Sequence, residues 1–159
     1  TATHPITRRY RVDHLNLHRN RLNTTFYLDE LYAKTTSLRG NKVATVYTNG
    51  QYTAVYPMAS KHEAGQTLDD FAQDVGVPEF LTTDLAGELS GPHTEFVAHA
   101  KKLRIKMHWV EKGRHWQNHK GEREIGILKQ RWRRRMTDRR IPMRLWDYGL
   151  VYEAEILSR

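Results

Sequence analysis

Residues 24–56 read TTFYLDELYAKTTSLRGNKVATVYTNGQYTAVY, and this stretch decides the fold. Thr24 to Tyr32 is β-branched and aromatic, the composition of a strand. Lys42 to Tyr47 and Gln51 to Tyr56 read as two more, separated by a turn at Thr48-Asn49-Gly50, where Asn-Gly is the strongest short-range hairpin signal. Three antiparallel strands are expected, the third ended by Pro57.

Downstream the pattern changes. Ser60 with Glu63 three residues later forms a capping box for a helix that should run to about Val75 and stop at Gly76, burying Leu68, Phe71, Ala72 and Val75. Phe80 to Thr83 is a short strand stopping at Asp84. Pro92 to Arg104 reads as a helix with Phe96, Val97 and Leu103 inward, and Ile105 to Val110 as another strand. After the polar stretch Glu111 to Gln117, a long helix from Asn118 to Asp138 carries Ile125, Leu128, Trp132 and Met136 at spacings of three and four. A final helix opens at Pro142, which is favoured in a first turn, and carries Trp146, Leu150 and Ile156; Trp146 and Leu150 are expected in the core rather than at a subunit contact. The order β-β-β-α-β-α-β-α-α implies an α/β protein, a mixed five-stranded sheet with helices on both faces. Residues 1–23, basic and polar, read as a linker or arm, and residues 24–159 as the folded domain.

The chain has 159 residues, 38% of them hydrophobic and 28% charged, which is enough for one domain with a real core. It has no cysteine, which excludes disulfides and thiolate zinc sites and is compatible with a reducing compartment. His14 and His18 sit four apart, as metal ligands on a helix would, but without a second ligand pair they read as surface histidines. No segment reaches the roughly 20 apolar residues needed to cross a bilayer, so no membrane partner is expected. The chain opens on Thr1 and closes within an amphipathic pattern, as a fragment of a longer polyprotein would.

The net charge of +8 favours a polyanionic partner, and its distribution sharpens that reading. Residues 101–140 hold 15 Lys/Arg against 4 Asp/Glu, whereas residues 41–100 hold 2 against 8. One flank is therefore strongly basic. Arg133, Arg134 and Arg135 occupy consecutive helical positions and point in three directions, so part of this charge is simply solvated surface.

Three carboxylates carry chemistry. Asp29 stands in the otherwise apolar FYLDELY, on the face of Tyr27 and Leu31, where an acid is costly unless a cation or strong donor meets it. Glu30 points to the opposite face, and alternation alone does not choose between the two. Asp84 ends the fourth strand, where side chains enter a shared crevice. Glu122 lies in the first turns of the long helix, flanking its apolar stripe; Glu124 faces elsewhere and is the weaker candidate. Acids from two adjacent strands and a helix can converge on hard cations, Mg²⁺ or Mn²⁺, two of which would drive in-line phosphoryl transfer. Acids repel phosphate until a metal reverses the local charge, and the basic flank supplies the complementary half.

Asp29, then Asp84, then Glu122 inside QNHKGER at the start of a long helix resembles the D,D,E core of retroviral and retrotransposon integrases. The blocks SLRGNKVATVYTNG, YPMASKHEAG, DVGVPEFLTTD, QNHKGE and LWDYGLVYEAEI are similar to copia-type elements in particular, over roughly residues 24–158. The resemblance implies an RNase H-like fold with Asp29, Asp84 and Glu122 as catalytic metal ligands. It implies 3′-end processing of element DNA and strand transfer into target DNA, in the nucleus, by a homo-oligomer assembled on DNA. Lys129, Gln117 and Asn118 would contact DNA, with Lys120 and Arg133 on the same basic helix, and His115 and Trp116 would help close the site.

The sequence also departs from the family. Thirty-seven residues separate Asp84 from Glu122, two more than is usual in the family, a difference that loops absorb. Gly121 stands where these elements often have Ala, at a cost of up to about 1 kcal/mol in helix propensity. The cysteine-containing zinc module that usually precedes the core is missing from this sequence, which puts full strand transfer by this chain alone in doubt. A decayed or domesticated copy that binds nucleic acid without catalysis is the alternative function, and another RNase H-like nuclease or transposase a third.

Overall fold

The computed structural model describes residues 20–84, 92–110 and 119–159. Five strands, β1 (Arg21–Tyr32), β2 (Val43–Thr48), β3 (Thr53–Met58), β4 (Val77–Thr83) and β5 (Lys106–Trp109), form one sheet in the order β3-β2-β1-β4-β5. The β1–β2 and β2–β3 pairs are antiparallel, and β1–β4 and β4–β5 are parallel. Four α-helices flank it: α1 (Ala64–Asp74), α2 (Pro92–Lys102), α3 (His119–Asp138) and α4 (Trp146–Leu157). This is the mixed five-stranded arrangement expected from the order of elements, and it agrees with the RNase H-like fold that the resemblance implied.

Two cores cover the two faces of the sheet. On one, Phe26 and Leu28 of β1 and Tyr47 of β2 meet Leu68 and Phe71 of α1 and Phe96 of α2. Tyr47 stacks on Phe71 with ring centroids 4.6 Å apart, and Phe26 meets the same ring edge-on at 4.9 Å. On the other, Ala44, Val46 and Val55 pack against Ile125, Leu128 and Met136 of α3 and Trp146 and Leu150 of α4. Trp146 and Leu150 are thus core residues, as expected, and Trp132 is half-buried beside them.

Several boundaries differ from the sequence reading, each for a local reason. β1 opens at Arg21, inside the stretch read as an arm, and β4 opens at Val77 rather than Phe80. The two extensions are one event, because Arg21 pairs with Val77 and Leu22 with Pro78. Pro57 does not end β3 but lies within it, opposite Ala44; β3 is an edge strand, where a missing N–H is tolerated. The hairpin turn is a four-residue loop in which the Asn49 side chain accepts from the N–H groups of Gln51 and Tyr52, and Gly50 takes the positive φ of +92°. The Ser60–Glu63 capping box is present, but the turn it caps, Lys61–Glu63, is 3-10 and α1 begins at Ala64. In α2 the buried positions are Phe96 and Ala100, with Leu103 just past its end continuing the same stripe, so Val97 is only half-buried. Pro142 precedes a 3-10 turn, Met143–Leu145, and caps it instead of sitting in the first turn of α4.

Candidate active site

β1 decides between its two adjacent acids through its neighbours. Asp29 lies opposite Val46, and Glu30 opposite Thr45. Residues directly opposite in a sheet point to the same face. Val46 belongs to the core under α3, whereas Thr45 hydrogen-bonds Thr67 of α1 at 2.9 Å. Asp29 therefore faces α3, and Glu30 faces α1. Glu30 is buried and accepts a 2.7 Å hydrogen bond from the Tyr32 hydroxyl.

Asp84 immediately follows β4, and the parallel register that pairs Tyr27 with Thr82 aligns Asp29 with Asp84 when continued by two residues. Asp29, in the last third of β1, and Asp84, just past the end of β4, thus stand where the parallel pairing of the two strands finishes, Asp29 half-buried and Asp84 exposed. Burial pushes the Asp29 carboxyl up to about 6, and the negative charge of Asp84 adds to the rise. The hydrogen bond from the backbone N–H of Glu30, at 2.8 Å, and the Lys129 ammonium pull the other way. Lys129 sits half-buried on α3, close enough to act on Asp29.

Glu122 is in the first turn of α3 and exposed, while Glu124 is half-buried. Among the described residues no group of three or more His, Cys, Asp or Glu is placed to hold a metal ion, so Glu122 is not gathered with Asp29 and Asp84 into a ready three-acid cluster. The pair itself fits a hard divalent cation: its donors are all carboxylate oxygen, and a half-buried acid raised by burial and by a like charge is one that a cation would stabilise in its ionised form.

Lys120 is exposed near the start of α3 and leans across the β2–β3 hairpin: a Cβ built on Gly50 would lie 2.7 Å from its Cε. Glycine at position 50 thus permits both the left-handed turn and this close approach. Arg133 is exposed on the same helix. Gln117 and Asn118, like His115, Trp116, His14 and His18, lie outside the described residues.

The sequence reading passed over two buried acids. Asp147 is fully buried, accepting from Arg39 Nε at 3.0 Å, Asn41 Nδ2 at 2.9 Å and the Tyr148 N–H at 2.9 Å. Glu153 is buried against Arg131 and Arg135 of α3. Arg131 and Arg135, one turn apart, were a usable signal for an acid opposite them. Asp147 had no local signal, since its side-chain partners Arg39 and Asn41 lie more than 100 residues away.

The sequence matches no protein-family model and no curated protein. Solved structures do resemble it. A chain of the simian T-cell lymphotropic virus intasome superposes with a TM-score of 0.65 at 19% identity, over 86% of this chain and 50% of that one. This chain therefore spans half the length of that relative. The catalytic core domain of bovine immunodeficiency virus (BIV) integrase gives 0.62 at 13% identity, over 84% and 82%. The human T-cell lymphotropic virus type 2 (HTLV-2) integrase catalytic core, in a dimeric form with magnesium, gives 0.58 at 16%, over 82% and 84%. The chain has the fold of retroviral integrase catalytic cores.

Proposed function

We propose that this chain is an integrase catalytic core, a metal-dependent polynucleotidyl transferase that processes the 3′ ends of element DNA and joins them to target DNA. The observation that carries the reading is the juxtaposition of Asp29 and Asp84 where the parallel pairing of β1 and β4 finishes, with the Asp29 carboxyl pushed up to about 6. Asp29, Asp84 and Glu122 would hold Mg²⁺ or Mn²⁺, as two ions. The bound cations would activate the attacking hydroxyl and stabilise the leaving oxygen of an in-line displacement.

The chain's own residues have distinct tasks. Asp29 gives up its proton as the site fills, and Lys129 favours that ionised form. Glu122, in the first turn of α3, lies where the helix dipole favours an anion. Lys120, Lys129 and Arg133, with Gln117 and Asn118, are assigned to DNA phosphates, whose charge would otherwise be repelled by the acids. Assembly as a homo-oligomer on DNA, descent from a copia-type element and action in the nucleus belong to the same proposal.

One observation favours a second reading, a copy that binds nucleic acid without catalysis: among the described residues the third acid is not gathered with the first two. Strand nicking and joining on labelled duplex DNA with Mg²⁺ or Mn²⁺, comparing the protein with Glu122→Gln, tests between them. The proposal expects metal-dependent products lost in the variant. DNA binding without products in either protein supports the second reading, and full activity in the variant excludes Glu122 from the site.

A further inference from the structure

A groove of about 650 Å³ lies between the end of β1, the C-terminal half of α3 and the start of α4. Its size is that of ordinary ligand sites. Leu31, Trp132, Met136 and Leu150 give it an apolar lining, and Met143, 49% exposed, stands at its edge. Lys34, Lys129 and Arg133 also line it, and none of the three forms an ion pair with another described residue. The one acid in the lining, Glu30, is buried and accepts from Tyr32.

We propose that this groove docks an acidic amphipathic helix of a partner protein, its apolar face on the Trp132–Met136 side and its carboxylates on Lys34, Lys129 and Arg133. Three features select that occupant. A nucleic-acid backbone would answer the cations but leave the apolar floor unused, whereas an acidic amphipathic segment answers both. Lys129, Trp132, Arg133, Met136 and Thr137 form one stripe along α3, and eight residue steps at 1.5 Å make it about 12 Å long, two turns of a partner helix. The walls are also rich in Met and Trp, side chains that adapt to a partner's shape. The chain's own first 19 residues are a poor occupant, since they carry Arg8, Arg9, Arg11 and Arg19 against the single acid Asp13.

Lys129 belongs to the groove and also acts on Asp29. A docked acidic helix would therefore compete with DNA for Lys129 and Arg133, linking partner binding to the neighbouring site. The docking inference stands whether or not the chain cuts DNA.

The test is fluorescence anisotropy with a labelled helical peptide carrying Leu and Trp at i, i+3 and i+4 and Glu on its flanks, against the same peptide with Gln for Glu. Protein variants are Lys34→Glu and Met143→Asp, both at exposed positions. The acidic peptide should bind, and the Gln peptide and each variant should weaken binding about tenfold or more. Equal affinity for the two peptides overturns the proposal, as does the absence of saturable binding. If the affinity of duplex DNA or RNA, rather than of the peptide, falls in Met143→Asp, the groove is a nucleic-acid surface and the proposal fails. Circular dichroism checks the fold of the variants, and the peptide comparison needs no variant at all.

Discussion

Asp29 and Asp84 stand where the parallel pairing of β1 and β4 finishes, and the first carries a carboxyl that burial and the second's charge push up to about 6. A raised carboxyl makes its ionised form a burden on the fold. Below about pH 4 Asp29 is protonated whether folded or not and the burden is absent. It grows as the pH rises toward 6, because the unfolded chain releases the proton first, and is constant above. Asp29→Asn should therefore match the parent protein in stability below pH 4 and exceed it by on the order of 2 kcal/mol above pH 6. Urea unfolding in a metal chelator at several pH values measures this; a difference that does not change with pH contradicts it.

Lys129 opposes that rise. Replacing it with Gln should move the Asp29 titration to higher pH, read directly from the side-chain carboxyl by ¹³C NMR. The shift should shrink with added salt, since part of the effect acts through solvent. An unchanged midpoint would separate Lys129 from the site.

The Asp147 clasp ties the β1–β2 loop to α4. Burial alone would raise this carboxyl, but the hydrogen bonds from Asn41, Ser37, Arg39 and the Tyr148 N–H outweigh it and hold it below its ordinary value. Asp147→Ala should lower stability by about 2 kcal/mol at neutral pH, because the loop's donors lose their acceptor. The loss should begin to fade as the pH falls below the ordinary carboxylate value, because the unfolded chain takes up the proton there before the folded protein does. Thermal unfolding from pH 7 down into the acid range checks both halves.

Gly65 and His99 are in direct conflict with any larger residue at position 65: a Cβ there would lie 2.6 Å from His99 Cδ2. Gly65→Ala should displace His99 from its 2.7 Å contact with Asp69 and destabilise the α1–α2 pair by about 1 kcal/mol. In a His99→Ala background the same change should be neutral or stabilising, since Ala is the better helix former. Additive effects in the double-mutant cycle would refute the contact.

How much of this was legible in the sequence differs by scale. Elements announced by local chemistry were readable: the Ser60–Glu63 box, the Asn49-Gly50 turn, and the α3 stripe of Ile125, Leu128 and Met136. Boundaries fixed by pairing were not. Arg21 is a strand residue because Val77 lies beside it, and Pro57 is tolerated because β3 is an edge, facts that exist only once the sheet is assembled. At the site, alternation left Asp29 and Glu30 equivalent, and the cross-strand partners Val46 and Thr45 separated them. Asp147 and Glu153 were missed because their partners come from other elements of the fold.

The central claim is that Asp29 and Asp84 together receive a divalent cation, and Mn²⁺ calorimetry at pH 6 and pH 7.5 tests it most directly. Binding should release protons at pH 6, where Asp29 is about half protonated, and fewer at pH 7.5. It should be lost in Asp29→Asn and in Asp84→Asn. Equal Mn²⁺ binding in the parent and both variants, with no proton release at pH 6, would contradict the account.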